Sequence, residues 1–217
     1  MSAPTLAPSS LSTQLRERTR DAHERAETVP FITDLMRGRL DRAAYADLAA
    51  QQYGIYVALE GAARRMADNP RAQGLLFAEL TRTPSIEADL HHLYGPQWRD
   101  RIEVLPAARA YAERIEQVST DLPRYAAHAY TRYLGDLSGG QAIKRLVQRH
   151  YGLGEDGVAF YTFTAIPKPK VFKDLYRERL DALDLTPLEM ETAVAEATLA
   201  FELNTAVFTA LGERHCR

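Results

Sequence analysis

The sequence predicts an all-α protein that folds as a single domain. Apolar residues recur at helical spacing along most of the 217 residues, with charged residues on the opposite faces. Residues that favour helix starts precede several of these stretches, and strand-like runs are almost absent. The one ambiguous run, 158–166, is predicted as helix followed by loop. Without a fixed repeat or a linker, the pattern favours one domain of about seven to nine helices.

The predicted helices of the first half follow one another from residue 11, and several carry their own start or stop signals. Ser9 or Ser10 can cap the first helix, which runs to residue 27 as one stripe of apolar residues. Asp41 is a good N-cap for a long alanine-rich helix. Gly95, which is followed by proline, predicts the end of a third helix.

The helices of the second half are marked in the same way. One begins at Pro106, because proline suits the first turn of a helix. A long glycine-bearing helix follows and ends near Gly152, and a basic amphipathic helix covers residues 168–183. The last helix has Thr186 as its N-cap and Glu189 three residues later, which together form a capping box.

Composition and charge exclude several classes of protein. The formal net charge of −2 gives no general case for binding nucleic acid. Cys216 is the single cysteine, so neither a disulfide framework nor a cysteine-rich metal site is expected, and no histidines have zinc-site spacing. We interpret residues 1–10 as a disordered leader and 11–213 as the domain. Charges interrupt every long apolar stretch, so we expect no membrane span and a cytoplasmic protein.

The segment RYLGDLSGGQAIKRL, residues 132–146, weakens a predicted helix. Its three interior glycines cost the helix roughly 3 kcal/mol relative to alanine. Gly135 and Gly139 are four residues apart and share one face, which Gly140 widens. That bare face can receive another helix, the commoner use of such spacing, or a flat ligand. Asp136 lies just off the face, either as a surface aspartate, the usual case, or as a buried acid.

Two further groups are candidates for ligand binding. His23 lies on the apolar stripe of the first helix, where a histidine is usually a core residue but can also be the single protein ligand of a haem iron. Lys173 and Arg177 are four residues apart on the basic helix and form either a solvated face or a clamp for two carboxylates. Arg16 lies about two turns before His23 and can reach the same ligand.

The glycine segment and five other stretches together resemble the haem oxygenase family. The stretch AHAYTRYLGDLSGGQAIKRL is similar to the distal-helix signature of that family. It is accompanied elsewhere by LRERTRDAHERAE, QQYGIYVALE, LYGPQW, VFKDLYRERLDAL and FELNTAVF, and the six stretches extend over residues 11–210. The resemblance implies a single all-α domain in which haem lies between a proximal and a distal helix.

The resemblance also implies roles for residues on both sides of the haem. His23, in the context H-x-x-A-E, matches the proximal ligand of the iron, and Glu27 matches the acceptor of the proton on its other ring nitrogen. Asp136 matches a distal aspartate that acts through water near bound O₂. The remaining members of the distal hydrogen-bond network match Tyr56, Tyr111, Arg132 and Asn204.

The residues that contact the haem follow from the same resemblance. Lys173 and Arg177 match the anchors of the haem propionates, with Tyr130 beside them. Arg16 stands where lysine is common in the family, so the charge is kept while its contact geometry with the propionate differs. The distal backbone and the apolar walls of the pocket match Gly135, Ser138, Gly139, Phe201 and Phe208.

The resemblance implies that haem b is both the substrate and the prosthetic group. The family cleaves haem with O₂ and electrons, usually at the α-meso carbon, and releases biliverdin, carbon monoxide and ferrous iron. A flavin reductase or a ferredoxin supplies the electrons. Basic residues at the haem edge can meet an acidic donor, and they include Lys168, Lys170, Lys173 and Arg179. We expect the soluble bacterial type, acting as a monomer.

Three other functions remain open. A protein that stores, senses or delivers haem without degrading it would use the same histidine and clamp, although it needs no distal aspartate with tyrosine and arginine partners. An unrelated helical hydrolase would need a core cysteine or paired carboxylates, and Cys216 lies next to the C-terminus. A purely structural helical protein leaves the interior glycines unexplained.

Overall fold

The computed structural model describes residues 9–216, and over this range it confirms the all-α fold. The backbone between these residues forms helices and no β-strand. The α-helices are α1 (Leu11–Arg18), α2 (Arg20–Glu27), α3 (Pro30–Met36), α4 (Arg42–Arg65), α5 (Thr83–Tyr94), α6 (Trp98–Arg101), α7 (Pro106–Gln117), α8 (Leu122–Gly135), α9 (Gln141–Tyr151), α10 (Pro169–Asp181) and α11 (Pro187–His215). The leader predicted at 1–10 lies, for residues 1–8, outside the described residues.

The part of the chain that the structure describes contains eleven α-helices, more than the seven to nine predicted. The first predicted helix is divided at Thr19, where φ is −100° and the hydroxyl donates to the Leu15 carbonyl at 2.6 Å. Threonine hydroxyls that bond back to the preceding turn bend helices. Short helices also add to the number, because α3 has seven residues and α6 has four, too few to show a clear period.

Most of the predicted helix ends are confirmed. Asp41 accepts a hydrogen bond from the first turn of α4, and Thr186 and Glu189 form the capping box of α11. Gly152 follows α9 in the left-handed conformation, with φ 65°. Ser10 is the exception: it precedes α1 as predicted, but its hydroxyl accepts no hydrogen bond from the backbone of the first turn.

Helix α11 connects the part of the fold that carries His23 to the part that carries the glycine segment. It packs against α7 and α8, and also against α2 and α3. Helix α4 packs against α5 and α7. Most buried apolar residues form one core, whereas Phe201 of α11 forms a separate small cluster with Ala22 and Ala26 of α2. Helix α11 therefore connects α2, which carries His23, to α8, which leads into the glycine segment.

The composition of α11 corrects one expectation from the sequence. The helix has 29 residues, and its most apolar window reaches a mean hydropathy of 1.2, so length and composition alone would let it cross a membrane. In the structure it packs against α7 and α8 and carries Glu196, a buried carboxylate. The faces that pack against these helices account for part of its apolar composition, and 33% of its most apolar window is buried. We therefore assign α11 to the core of the domain.

The ambiguous run 158–166 forms one short 3₁₀ turn, Ala159–Tyr161, followed by an irregular segment. The predicted order of helix and loop is confirmed, although the helical part has only three residues. Arg82, which precedes α5, donates to the carbonyls of Phe160 and Thr162 at 3.2 and 3.0 Å. This segment is therefore held in place by side chains from around α5, and it packs behind the glycine segment.

Candidate functional site

The glycine segment forms a π-helix, Asp136–Gly140, between α8 and α9. A Cβ atom added at Gly135 or Gly139 would meet no atom within 4 Å. The helix-packing interpretation of these two glycines is therefore wrong, because within residues 9–216 no helix lies against them. The exposed face carries Ser138 as well. It offers a wall of backbone to a ligand, and π-turns of this kind are frequent at functional sites.

Gly140 does not belong to that wall, which corrects the prediction that it widens the bare face. It is buried, and a Cβ atom at this position would lie 2.9 Å from Cδ1 of Tyr161. The glycine is therefore required by the aromatic ring of the 158–166 segment behind the helix. Gln141 strengthens this contact, because its side-chain amide donates to the Tyr161 carbonyl at 2.7 Å.

Asp136 is a buried acid and not the surface aspartate that is the usual case. Its residue is only 8% exposed, and the Tyr56 hydroxyl donates a hydrogen bond to its carboxylate. Burial raises the pKa of Asp136 to about 6, although the positive charge of Arg132 and the hydrogen bond from Tyr56 act in the opposite direction. The carboxyl group can therefore both hold and release a proton near neutral pH.

Arg132 organises the groups around this acid. Its guanidinium donates to Oδ1 of Asn204 at 2.7 Å and to Oε1 of Gln52 at 3.3 Å, and it lies over the Tyr56 ring at 5.0 Å. The structure thus brings together Asp136, Arg132, Tyr56 and Asn204, four of the five residues that the sequence assigns to the distal network.

Tyr111 lies near this network without a hydrogen bond to it. The side chain is fully buried on α7, and its hydroxyl has no partner among the described residues. Burial raises the pKa of Tyr111 to about 12, and the charges of Arg132 and Asp136 also act on it. Since buried hydroxyls are nearly always hydrogen-bonded, this one calls for an internal water.

His23 lies on α2, across α11 from the distal network. Its side chain is 48% exposed, and its ring meets Phe201 edge-on at 5.4 Å between centroids. Glu27 approaches Nε2 of His23 at 3.5 Å. In this ring orientation Glu27 faces Nε2, and a half-turn about the Cβ–Cγ bond would exchange Nδ1 with Cδ2 and Nε2 with Cε1. The histidine is not a buried core residue, which leaves it available as a ligand.

The apolar residues predicted to line the pocket occupy different places. Phe201 contacts His23 and belongs to the small cluster on α2, whereas Phe208 is partly buried against the main core. Asn204 lies one turn after Phe201 on α11 and bonds Arg132. One stretch of α11 therefore contacts His23 with one residue and Arg132 with another.

The clamp that the sequence predicts for carboxylates consists of basic residues, which lie on one side of the site. Lys173 donates to the Ser138 hydroxyl at 2.9 Å, which connects α10 directly to the π-helix. Arg177 pairs with Asp174 at 2.9 Å and is partly exposed. Burial raises the pKa of Tyr130, and the positive charges of Arg177 and Arg16 act in the opposite direction. Basic side chains of this kind can bind carboxylates.

Sequence reasoning missed Gln52, Tyr161 and an ionic cluster. Gln52 accepts from Arg132 and lies one turn before Tyr56 on α4, so its helical spacing was an available signal. Nothing in the local pattern pointed to Tyr161, because it lies outside the long helices. Nor did the pattern reveal that Glu196 of α11 is 4% exposed and binds Arg114 at 2.7 Å and His128 at 3.0 Å.

The residues and their arrangement fit a haem. Haem iron takes a histidine from the protein, and His23 is exposed beside an aromatic wall. A flat macrocycle needs a surface without side chains, which Gly135 and Gly139 supply. The two propionates of a haem need cations, and Lys173 and Arg177 lie on α10, beside the π-helix.

Comparisons with known proteins agree with this fit. The family model described as "Heme oxygenase" matches residues 9–210. A heme oxygenase of Takifugu rubripes is 41% identical over 209 residues, covering 95% of this chain and 76% of the relative. Heme oxygenase 1 of Synechocystis is 38% identical over 202 residues, covering 93% and 84%.

Solved structures give the same result. The crystal structure of heme oxygenase-1 from Synechocystis in complex with heme has a TM-score of 0.90 and 37% identity, covering 95% of this chain and 94% of that one. Heme oxygenase from Leptospira interrogans has a TM-score of 0.88 and 36% identity, covering 93% and 100%. From the extent of these matches in sequence and in fold, the chain belongs to the haem oxygenase family.

Proposed function

We propose that this haem oxygenase cleaves haem at the α-meso carbon, releasing biliverdin, carbon monoxide and ferrous iron, and that Asp136 supplies protons to the reaction. The observation that carries the proposal is that Asp136 is buried in the π-helix, whereas Gly135 and Gly139 on either side of it have open space where a Cβ atom would lie. An acid at this position can supply protons to a ligand that lies on the glycine face. A haem store needs no such acid.

The two sides of the site have different roles. His23 holds the iron, with Glu27 fixing its ring, and Phe201 sets the ring angle through an edge contact. The bound haem supplies the iron that binds O₂ and accepts electrons, and it is also the molecule that is cleaved. Gly135 and Gly139 let the distal backbone approach the ring closely, because neither has a side chain. Close approach along one sector of the ring favours one meso carbon.

The proton is handled by a small network. Tyr56 donates to the carboxylate of Asp136 and holds it in one orientation, while Arg132 stacks on Tyr56 and is fixed by Asn204. Because the pKa of Asp136 is raised to about 6, the carboxyl group is ready to release a proton at neutral pH and to take one up again. Water carries the proton from Asp136 to the reacting centre.

The residues that bind the propionates, at the edge of the haem, control its rotation in its own plane. Lys173 and Arg177 bind the propionates, with Arg16 and Tyr130 completing the group. Haem binding would replace the contact of Lys173 with Ser138 by a charge-assisted hydrogen bond. Together with the glycine wall, this clamp selects the α-meso carbon.

The electron donor is a reductase or a ferredoxin with an acidic surface. Lys168 and Lys170 lie at the start of α10, next to the clamp, and meet such a surface favourably. The protein acts in the cytoplasm as a monomer.

Replacement of Asp136 by asparagine tests the proposal. With haemin, ascorbate and O₂, we expect the wild type to lose its Soret band while the biliverdin bands rise. Asp136→Asn should bind haem with unchanged affinity and lose turnover by about 100-fold or more, because a positioned acid contributes on that order. Asp100→Asn on α6, an exposed aspartate, is the matched control. A stable Soret band in the wild type would favour haem storage instead.

A further inference from the structure

Asp89 of α5 is a buried carboxylate that the proposed reaction does not use. The residue is 1% exposed. Its Oδ1 accepts from the Ala159 N–H at 2.7 Å, and its Oδ2 accepts from the Phe160 N–H at 2.8 Å. It therefore holds the 3₁₀ turn that carries Tyr161, on the side of the π-helix away from the exposed glycines.

Two cavities meet at this residue. The inner one has a volume of about 10 Å³, room for a single water, and is lined by Asp89, Gln52 and Tyr161 among others. The outer one is a cleft of about 240 Å³ lined by Asp89, His91, His92 and Asp156 among others. Asp89 is the residue common to both, so it lines a water-sized space and the larger cleft at once.

The inner cavity leads to the distal network. Gln52 accepts a hydrogen bond from Arg132, and the Tyr161 hydroxyl lies beside the Gln52 side chain. The Tyr161 ring also packs against Gly140, the last residue of the π-helix that begins with Asp136. Burial and the negative charges of Asp136 and Asp89 raise the pKa of Tyr161, so its hydroxyl lies within electrostatic reach of both carboxylates.

Asp89 can be either protonated or ionised near neutral pH. Burial raises its pKa to about 6, and the hydrogen bonds from the backbone, together with the charge of His92, only partly offset this. The other groups that face it are Tyr45 on α4, Tyr161 on the 3₁₀ turn and Asp156 beside the cleft. None of them supplies a paired cation that would keep the carboxylate ionised.

We propose that Asp89 is the proton-uptake residue that resupplies Asp136, so that protons enter from the cleft on the far side of the π-helix. Asp89 takes a proton from a water in the cleft and releases one to the cavity water. That water passes a proton through the Tyr161 hydroxyl toward Asp136, and each group returns to its starting state. The inference rests on the proposed role of Asp136 as the proton donor.

Filling the inner cavity tests the route without touching either carboxylate. Ala49→Val adds two methyl groups at the wall of a space that holds one water. Ala88→Val makes the same change on a helix at the wall of the outer cleft, which stays wet. Asp89→Asn removes the proton carrier itself. Each variant is measured for haemin affinity by Soret titration, and for turnover with its solvent isotope effect from about pH 6 to about pH 9.

We expect Ala49→Val and Asp89→Asn to bind haemin like the wild type, and to lose turnover progressively as the pH rises. The loss should reach about tenfold at the alkaline end, with a larger solvent isotope effect, because proton supply becomes limiting. Ala88→Val should keep the wild-type profile.

The inference is overturned if folded Ala49→Val shows the same pH profile as Ala88→Val, even when Asp89→Asn is impaired, because Asp89 then only supports the 3₁₀ turn. Failure of the proposed role of Asp136 is a separate result: Asp136→Asn would then degrade haem normally.

Discussion

Asp136 shows, at the scale of one residue, how function and stability oppose each other in this site. The carboxyl group is buried beside a neutral hydroxyl, and burial raises its pKa to about 6 from an ordinary value of 3.8. A group that binds its proton more tightly in the folded state stabilises the fold below its unfolded pKa, and it loses that contribution as the pH rises through its folded pKa. At neutral pH the fold therefore holds a carboxylate at a cost.

The stability of Asp136→Asn should exceed that of the wild type at neutral pH, by an amount that depends on pH. Asparagine mimics the protonated acid at every pH. The difference in the free energy of unfolding should therefore grow between about pH 4 and pH 7, by about 3 kcal/mol at most. Urea unfolding of the haem-free proteins across this range measures it, with Asp100→Asn as control. A difference that shrinks as the pH rises would contradict the assignment.

Gly139 and Gly140 are neighbours in sequence but should respond to alanine in opposite ways. Gly139→Ala adds a Cβ atom in open space, so the haem-free protein should gain about 0.5 to 1 kcal/mol from helix propensity while haem affinity falls. Gly140→Ala places its Cβ 2.9 Å from the Tyr161 ring and should lose about 1 to 3 kcal/mol.

Thermal unfolding without haem and Soret titration separate these two effects. Equal loss of stability in both variants would show that Gly139 also packs against protein. The spacing of the glycines predicted a bare face, but it did not distinguish Gly139 from Gly140. Only the 158–166 segment, distant in sequence, makes that distinction, because it supplies the ring that packs against Gly140.

At the scale of the helices, α11 is held to α7 and α8 by a buried ionic cluster. Glu196 accepts two hydrogen bonds from Arg114 and one contact from His128, with Arg124 at 3.4 Å. Burial by itself would raise the pKa of Glu196, but the hydrogen bonds from His128 and Arg114 outweigh it and lower the pKa to about 2. Such a cluster fixes one helix against two others.

Glu196→Gln should destabilise the protein by about 3 kcal/mol near neutral pH, because the cations around it lose their buried counter-charge. The wild-type advantage is fully present above the ordinary pKa of 4.5 and is lost as the pH falls through about 2. Urea unfolding at about pH 7 and about pH 3 measures this loss. The exposed Glu24→Gln on α2 is the control, and a difference that does not depend on pH would contradict the ionic role.

Over the whole molecule, the candidate site is built from residues of α2, the π-helix, α10 and α11. His23 and the clamp belong to different helices, so their contributions to haem binding can be separated. Haem at 100 times its Kd stabilises a folded protein by about 2.7 kcal/mol. Metal-free protoporphyrin offers the same propionates to the clamp but gives His23 no iron.

His23→Ala should therefore reduce the stabilisation by haem to the level given by protoporphyrin, and it should leave the effect of protoporphyrin unchanged. Arg177→Glu should reduce both, because it acts on the propionates. Circular dichroism melts with each ligand measure these differences. Full stabilisation of His23→Ala by haem would exclude His23 as the ligand.

The sequence alone determined the helical class, the ends of most helices and the family. These features depend on short-range chemistry: caps act within one turn, and the glycine signature is continuous in the chain. It also named Asp136 and the three residues grouped with it, Tyr56, Arg132 and Asn204, through the family resemblance. The number of helices was underestimated, because the bend at Thr19 and the shortness of α3 and α6 leave little periodic signal.

Only the tertiary structure decided which of these groups are buried and what they face. Asp136 and Glu196 are both acids on helices, yet one has its pKa raised to about 6 and the other lowered to about 2. The difference comes from burial and from direct partners: Tyr56 donates the hydrogen bond to Asp136, on which Arg132 acts through its charge, whereas Glu196 accepts hydrogen bonds from Arg114 and His128. Burial and charge pairing are properties of the packed chain, because residues distant in sequence supply both the low dielectric and the counter-charges.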